Sequence, residues 1–180
     1  MDPRELAATQ TILYRNIAIG VASGFLLLLG LYVYLPQPGP AATAIDRLVL
    51  ALRCDAVAAL TLFAGIHAVA RLRGQSEAMN PLAGKDPADL QVHSRYLQNT
   101  LEQLVLFVVG TAALSTYLDA CTARALPALT VVFVAARLVF WRGYLRHPLG
   151  RTIGMAATFL VNLVVFGTVI YFTIRTGFAG

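Results

Sequence analysis

The sequence predicts an all-α integral membrane protein with five transmembrane helices. Hydrophobic residues make up 58% of its 180 residues, charged residues make up only 13%, and the mean hydropathy is +0.69. Such values lie outside the usual range of soluble domains. Five apolar runs are also long enough, at about 20 residues each, to cross the hydrocarbon core of a bilayer as helices.

The first apolar run is expected at about 17–35, where the proline-rich sequence LPQPGPAATAID ends it. Two arginines before this run and the small residues AATA after it are also features of a secretory signal. The run of about 19 residues exceeds the roughly 7 to 15 apolar residues of a cleaved signal. We therefore expect residues 1–44 to form a retained segment that adds one transmembrane helix to the rest of the chain.

The other four runs form one predicted domain over residues 45–180. A long polar stretch, RGQSEAMNPLAGKDPADLQ, separates the second run from the third, and the later connections, DACTARALP and RHPLGR, are short enough for tight turns. The four predicted spans are about 48–72, 94–118, 126–147 and 152–175.

The distribution of basic residues predicts the orientation in the membrane. Cytoplasmic segments carry the excess of Lys and Arg, so we expect the N-terminus in the cytoplasm and the C-terminus on the opposite side. The net charge of +5 is then explained by topology, and without an aromatic platform it does not predict a nucleic-acid partner. The cytoplasmic group is Arg4, Arg15, Arg71, Arg73, Lys85, Arg95, Arg142, Arg146 and Arg151, against Arg47, Arg53, Arg124 and Arg175 on the other side.

A polar stripe lies in the third predicted span. Arg95, Asn99 and Glu102 are spaced by four and three residues, so a helix places them on one face. Polar side chains at this depth avoid lipid and face another helix, another subunit or a polar ligand. Hydrogen bonds between helices and contact with a ligand both remain open at this point.

A second stripe lies in the fourth span, where Arg137, Phe140 and Tyr144 share a face, and Arg151 opens the last helix. A buried arginine needs an anionic partner, and we expect Glu102 of the third span to pair with Arg137. The remaining arginines near the cytoplasmic face predict a site for a small anion with carboxylates, because guanidinium groups bind carboxylates bidentately. These are Arg71, Arg73, Arg95 and Arg151, with Asn99 and Tyr144 nearby.

Other polar residues predict no further site. His67 has no second ligand at metal-binding spacing, so no metal is expected. His93 is expected to be solvated and Trp141 to anchor the membrane interface. Cys54 and Cys121 both lie toward the non-cytoplasmic side, and whether they pair stays open.

Two sequences, RYLQNTLEQ at 95–103 and ARLVFWRGYLRHPLGR at 136–151, resemble the membrane-associated proteins in eicosanoid and glutathione metabolism, the MAPEG family. NPLAGKDP at 80–87 is similar to a loop of these proteins, and the resemblance covers residues 45–176. The additional leading span and RLVLALRC at 47–54 resemble most the mattrin-like branch of the family.

The resemblance implies a homotrimer of four-helix protomers that binds glutathione as co-substrate between subunits, near the cytoplasmic face. It implies that Arg151 lies by the thiol and acts as the catalytic residue of a glutathione S-transferase for lipophilic electrophiles. The alternative is a non-catalytic membrane scaffold or lipid-binding partner of the same fold, as in the mattrin-like branch. The implied glutathione-binding residues are Arg95, Asn99, Glu102, Tyr144, Arg71, Arg73, Arg137 and Phe140.

Overall fold

The computed structural model describes residues 3–39, 41–75 and 86–177, and its regular elements are all helical. Each of its five long helices is long and apolar enough to cross a membrane, which confirms the predicted fold class. Most of the predicted NPLAGKDP loop lies outside the described residues. The elements are α1 (Pro3–Tyr34), α2 (Ala44–Gly74), α3 (Ala88–Tyr117), α4 (Ala125–Arg146), a 3-10 turn (Pro148–Gly150) and α5 (Arg151–Thr176).

The helices extend beyond the apolar runs at several ends. Helix α1 begins at Pro3, because Pro suits the first turn of a helix and the following residues contain no breaker. Helix α2 begins in a capping box, in which the Thr43 hydroxyl accepts from the Asp46 backbone N–H at 3.1 Å and the Asp46 carboxylate accepts from Thr43 N–H at 3.0 Å. Local capping therefore sets these boundaries, and hydrophobicity alone does not predict them.

Helices α2 and α3 pack together, as do α4 and α5, and α3 also lies against α5. The centre of this bundle contains Phe107 of α3 stacked on Phe133 of α4, with 4.5 Å between their ring centroids. Val161 and Val165 of α5 are fully buried beside them. The four helices from α2 to α5 thus share one apolar core.

Helix α1 lies outside this core and packs along α5. Gly20 and Gly24 face α5 so closely that a methyl group at Gly20 would collide with the Ile153 carbonyl oxygen. Near the turn between α4 and α5, the Asn16 amide donates to the Leu149 carbonyl oxygen at 3.2 Å. The additional helix is therefore fitted to the start of α5.

Hydrogen bonds between residues of the connection itself hold the turn between α3 and α4. The Asp119 carboxylate accepts from the backbone N–H and the hydroxyl of Thr122, both at 2.8 Å. These hydrogen bonds lower the pKa of Asp119, since they stabilise the charged carboxylate. The short turn fixes α4 antiparallel to α3.

Candidate functional site

A cavity of about 330 Å³ opens where the first turns of α3 meet the end of α4 and the start of α5. The described residues that line it supply two guanidinium groups, one phenol, one carboxamide and no acidic group. Such a donor set favours a small anion, because each charged side chain among these lining residues is a cation. The lining residues are Ala88, Gln91, Val92, Arg95, Tyr144, Pro148 and Arg151.

The turn between α4 and α5 positions Arg151. Gly143 and Gly150 approach each other so closely that a methyl group on Gly143 would collide with the Gly150 carbonyl oxygen. His147 supports the turn, because its Nδ1 accepts from the Leu149 backbone N–H at 3.1 Å. This tight return carries Arg151 back over the end of α4.

Arg151 and Tyr144 lie against each other in the cavity wall. The guanidinium carbon of Arg151 lies 4.7 Å from the centroid of the Tyr144 ring, which is cation–π geometry. Tyr144 is buried while Arg151 is half-buried. The predicted meeting of Arg95, Tyr144 and Arg151 at one cavity is therefore present in the structure.

Arg137 lies deeper and outside this cavity. It is fully buried, its Nη1 donates to the Asn99 side-chain oxygen at 2.8 Å, and its guanidinium carbon lies 4.5 Å from the Phe140 ring centroid. No described residue forms a hydrogen bond with its Nε or Nη2. Arg137 thus contacts Asn99 from the α4 side, Phe140 packs against Arg137, and neither of these two α4 residues lines the cavity.

Glu102 is not the partner of Arg137 in the protomer, contrary to the sequence-based expectation. Its carboxylate is exposed and accepts from the Gln98 amide of the preceding turn at 2.9 Å. Asn99 takes the contact instead, because it faces α4 while Glu102 points away from the bundle. Arg95, Gln98 and Glu102 therefore form an exposed polar strip on α3.

Arg71 and Arg73 lie in the last turn of α2, and neither lines the cavity within one protomer. Arg73 forms an ion pair of 3.8 Å with Asp86, just before α3. Both side chains are about one-third exposed, and at 3.8 Å the pair contributes little to stability. The structure thus brings together part of the predicted arginine group and leaves these two apart.

Tyr96 was not predicted as a site residue, yet it anchors the base of the site. It is fully buried, it stacks on Trp141 with 4.4 Å between ring centroids, and its hydroxyl donates to the Thr61 carbonyl at 3.1 Å. Trp141 also donates to His93 Nδ1 at 3.0 Å. His93 is therefore half-buried against Trp141 and not simply solvated as expected, while the interfacial position of Trp141 stays a prediction.

Two further polar contacts inside the bundle were also missed. The Thr111 hydroxyl of α3 lies 2.8 Å from Asp55 Oδ1 of α2, and Asp55 is buried. Asn162 of α5 donates to the backbone and side-chain oxygens of Gln103, at 3.2 and 2.9 Å. A signal for both contacts was available in the sequence, since Asp55 and Asn162 interrupt apolar runs.

Cys54 and Cys121 are free thiols.

The fold and the cavity define a multi-pass helical membrane protein with a cationic site at one end of its bundle. The chain belongs to the MAPEG family, whose model matches residues 49–171. It is 30% identical to Transmembrane protein 79 of mouse over 147 residues, which cover 81% of this chain and 37% of that protein. It is also 30% identical to the bovine Transmembrane protein 79 over 135 residues, 74% of this chain and 34% of that protein.

The chain therefore spans roughly a third of the length of these curated relatives. No solved structure matches the chain significantly. Helix α1 lies entirely before the family-matched residues, whereas Arg95, Asn99, Tyr144 and Arg151 lie inside them.

Proposed function

We propose that the protein is a membrane-embedded glutathione transferase whose cationic cavity binds glutathione as co-substrate. The observation that carries the proposal is the position of Arg151, which lies over Tyr144 in a cavity that also contains Arg95 and to which the described residues contribute no acidic side chain. Glutathione is a small peptide with two carboxylates and a thiol, and it matches this donor set. Membership of the MAPEG family supports the same chemistry.

Different side chains at and beside the cavity bind different groups of glutathione. Arg95 pairs with a carboxylate of glutathione, and Tyr144 donates a hydrogen bond at the buried end. The Asn99 oxygen already accepts from Arg137, so its NH₂ group is left to donate to a ligand carbonyl or carboxylate. Glu102 offers its second oxygen to the ligand ammonium.

We propose a homotrimer in which each site lies between adjacent subunits. The strip of Arg95, Gln98 and Glu102 is exposed in the protomer although it enters a transmembrane segment. Lipid is a poor environment for these groups, so a neighbouring copy covers them. That copy can also supply Arg71 or Arg73, which one protomer does not bring to its own cavity.

Arg151 lies where it can stabilise the reacting sulfur. A guanidinium beside the thiol favours the thiolate, which is the nucleophile. The thiolate attacks an electrophilic carbon, a carbon–sulfur bond forms, and the leaving group departs with its electron pair. With 1-chloro-2,4-dinitrobenzene the leaving group is chloride, and no residue of the protein becomes covalently modified.

We place the site at the cytoplasmic face, with the N-terminus in the cytoplasm and the C-terminus opposite. The cavity contains Arg95 and Arg151, and the adjacent helix ends carry Arg142 and Arg146. This end is the basic one, as the positive-inside rule requires of the cytoplasmic side.

The test is calorimetric titration of the detergent-purified protein with glutathione, followed by a conjugation assay with chlorodinitrobenzene. Arg151→Ala should lower kcat by about 100-fold, the usual effect of losing one group that stabilises the developing charge. Arg146→Ala is the matched control, since Arg146 is exposed near the same turn and does not line the cavity. No binding heat at millimolar glutathione would overturn the transferase proposal.

The second candidate is a non-catalytic MAPEG-fold scaffold or lipid-binding partner. It is favoured by the relatives, whose name, Transmembrane protein 79, states membrane location and no reaction. A protein that assembles normally, binds no glutathione and conjugates no electrophile would support this candidate.

A further inference from the structure

A small polar cavity lies at the end of the bundle opposite the cationic cavity, where the connection between α1 and α2 meets the start of α2. Its volume is about 170 Å³. It brings together one acidic and one basic side chain of α2, neither of which belongs to the cationic cavity. The described residues that line it are Pro38, Gly39, Ala41, Asp46, Leu50 and Arg53.

Hydrogen bonds hold the walls of this cavity in place. Arg47 donates from Nη1 to the Ala41 carbonyl oxygen at 3.1 Å and from Nε to the Ser115 carbonyl oxygen at 3.4 Å, which ties the connection to the ends of α2 and α3. The Thr43 N–H and hydroxyl donate to Asp46 Oδ2, at 3.0 and 2.7 Å. Because both of these bonds end on Oδ2, Asp46 Oδ1 can accept from a ligand.

Arg53 brings a positive charge to the cavity. Its side chain is exposed, and no described acidic residue forms an ion pair with it. It lies within a helix that is long and apolar enough to cross a membrane. An arginine in such a segment is costly without an anionic partner and indicates a functional site.

The depth of the two charged residues in the bilayer differs. Helix α2 has 31 residues, so it is about 46 Å long and, when centred, exceeds a hydrocarbon core of about 30 Å by roughly 8 Å at each end. Arg53 lies about 14 Å from the start of the helix and therefore roughly 6 Å inside the hydrocarbon, whereas Asp46 lies in the head-group region. The long arginine side chain reaches back toward the interface, where it lines the cavity together with Asp46.

One face of α2 continues from the cavity into the bilayer. Asp46, Leu50, Arg53, Val57 and Leu60 are spaced by four and three residues in turn, so they form one stripe on the helix. Val57 and Leu60 are 51% and 60% exposed. The face therefore offers charged groups near the interface and apolar surface below them, which is the order of groups in a phospholipid.

We propose that this cavity binds the head group of a phosphatidylethanolamine, with the phosphate at Arg53 and the ammonium at Asp46. The deeper cation meets the phosphate and the outer carboxylate meets the ammonium, so the charges of the site and of the lipid are complementary. Phosphatidylcholine fits less well, because its trimethylammonium has no N–H to donate to Asp46 and is larger. The inference concerns a separate site and does not depend on the proposed transferase function.

Native mass spectrometry of the full chain tests the phosphate contact. The detergent-purified protein is mixed with equal amounts of phosphatidylethanolamine, phosphatidylcholine and phosphatidylglycerol, and the lipids retained per protomer are counted. We expect one phosphatidylethanolamine, preferred about tenfold over phosphatidylcholine, and about tenfold weaker retention in Arg53→Gln. Arg175→Gln is the matched control, since Arg175 is also exposed and lies in the last turn of α5, at the same end of the bundle. Absence of a preference, or equal effects of the two variants, would overturn the site.

Asp46→Asn tests the ammonium contact separately. Asparagine keeps a side-chain oxygen for the Thr43 N–H and so preserves the helix cap, but it removes the negative charge. We expect retention of phosphatidylethanolamine to fall about tenfold, to the level of phosphatidylcholine, while retention of phosphatidylglycerol rises. An unchanged preference for phosphatidylethanolamine in a variant with the circular dichroism spectrum of the unmodified protein would overturn the assignment of the ammonium to Asp46.

A competition experiment distinguishes a lipid from a soluble head group. Dihexanoyl phosphatidylethanolamine and free phosphoethanolamine carry the same charged groups, but the free compound has no chains to lie on Val57 and Leu60. We expect the short-chain lipid to displace the retained phosphatidylethanolamine and millimolar phosphoethanolamine to leave it bound. Equal displacement by the two compounds would assign the cavity to a soluble phosphoester and overturn the lipid site.

Discussion

Arg137 of α4 and Asn99 of α3 are joined by a hydrogen bond of 2.8 Å between the guanidinium Nη1 and the amide oxygen. The bond determines which groups Asn99 presents outward, since an amide whose oxygen is occupied offers its two N–H donors. Arg137 itself is fully buried, and within the described part of the chain its Nε and Nη2 have no hydrogen-bond partner. A buried charge with so few partners contributes little net stability, and we propose that Arg137 serves to orient Asn99.

Arg137→Leu should keep the fold and weaken glutathione binding. The variant removes a buried cation for which the described residues supply no acidic partner, so the relief of its desolvation cost offsets the lost hydrogen bond to Asn99, and the midpoint of unfolding should change little. The dissociation constant for glutathione should increase about tenfold, the effect of one mispositioned hydrogen bond to a charged group. Calorimetric titration measures the affinity, and circular dichroism follows unfolding.

A double-mutant cycle with Asn99→Ala separates orientation from a direct contact. If Arg137 acts through Asn99, then Arg137→Leu should have no further effect on affinity in the Asn99→Ala background. An unchanged affinity in the single variant, or an additive loss in the double variant, would contradict the positioning role.

The sequence predicts the spans and the cationic cluster more completely than it predicts which side chains contact each other. Apolar runs identify the five helices, and the RHPLGR turn indicates that Arg151 returns toward Tyr144. Helical periodicity places Asn99 and Glu102 on one stripe, but it does not tell which of them meets Arg137. That choice depends on the rotation of α3 against α4, which the packing of Tyr96 on Trp141 determines.

The positions of Arg71, Arg73 and Trp141 escape prediction for the same physical reason. Arg71 and Arg73 lie at the end of α2, away from the cavity of the same protomer, and in the proposed trimer the packing of subunits would decide which cavity they approach. Sequence pattern likewise gives no reason to place Trp141 against His93, because an aromatic residue near a span end is usually interfacial. Long-range packing, which periodicity does not encode, decides these positions.

Asp55 and Thr111 should be energetically coupled between α2 and α3. The Thr111 hydroxyl lies 2.8 Å from Asp55 Oδ1 in the bundle interior, and Asp55 Oδ2 has no hydrogen-bond partner among the residues that the structure describes. Asp55→Ala should reduce the free energy of unfolding by about 1 to 3 kcal/mol, the cost of a lost buried hydrogen bond. Titration with SDS in mixed micelles measures this, and Thr111→Val completes the cycle. A coupling energy near zero would show that the two side chains act independently.

Helix α1 should depend on Gly20 for its position. Gly20→Ala introduces a methyl group against the Ile153 carbonyl, so we expect a loss of about 1 to 3 kcal/mol in the stability of the α1 to α5 contact. The matched control is Gly30→Ala on the same helix, where nothing lies within 4 Å of the added carbon. This control should be neutral or stabilising by up to about 1 kcal/mol. Limited proteolysis between α1 and α2 reports the release of α1, and equal proteolysis rates for both variants would contradict the contact.

Cys121 should report the orientation of the bundle. It is an exposed free thiol in the connection between α3 and α4, whereas Cys54 is half-buried within α2. With a cytoplasmic N-terminus, three crossings place the α3 to α4 connection outside the cytoplasm, so a membrane-impermeant maleimide should label intact cells. Cys121→Ser should abolish this labelling and Cys54→Ser should leave it unchanged. Labelling that requires permeabilised cells would reverse the orientation and move the cationic cavity to the non-cytoplasmic face, away from cytoplasmic glutathione.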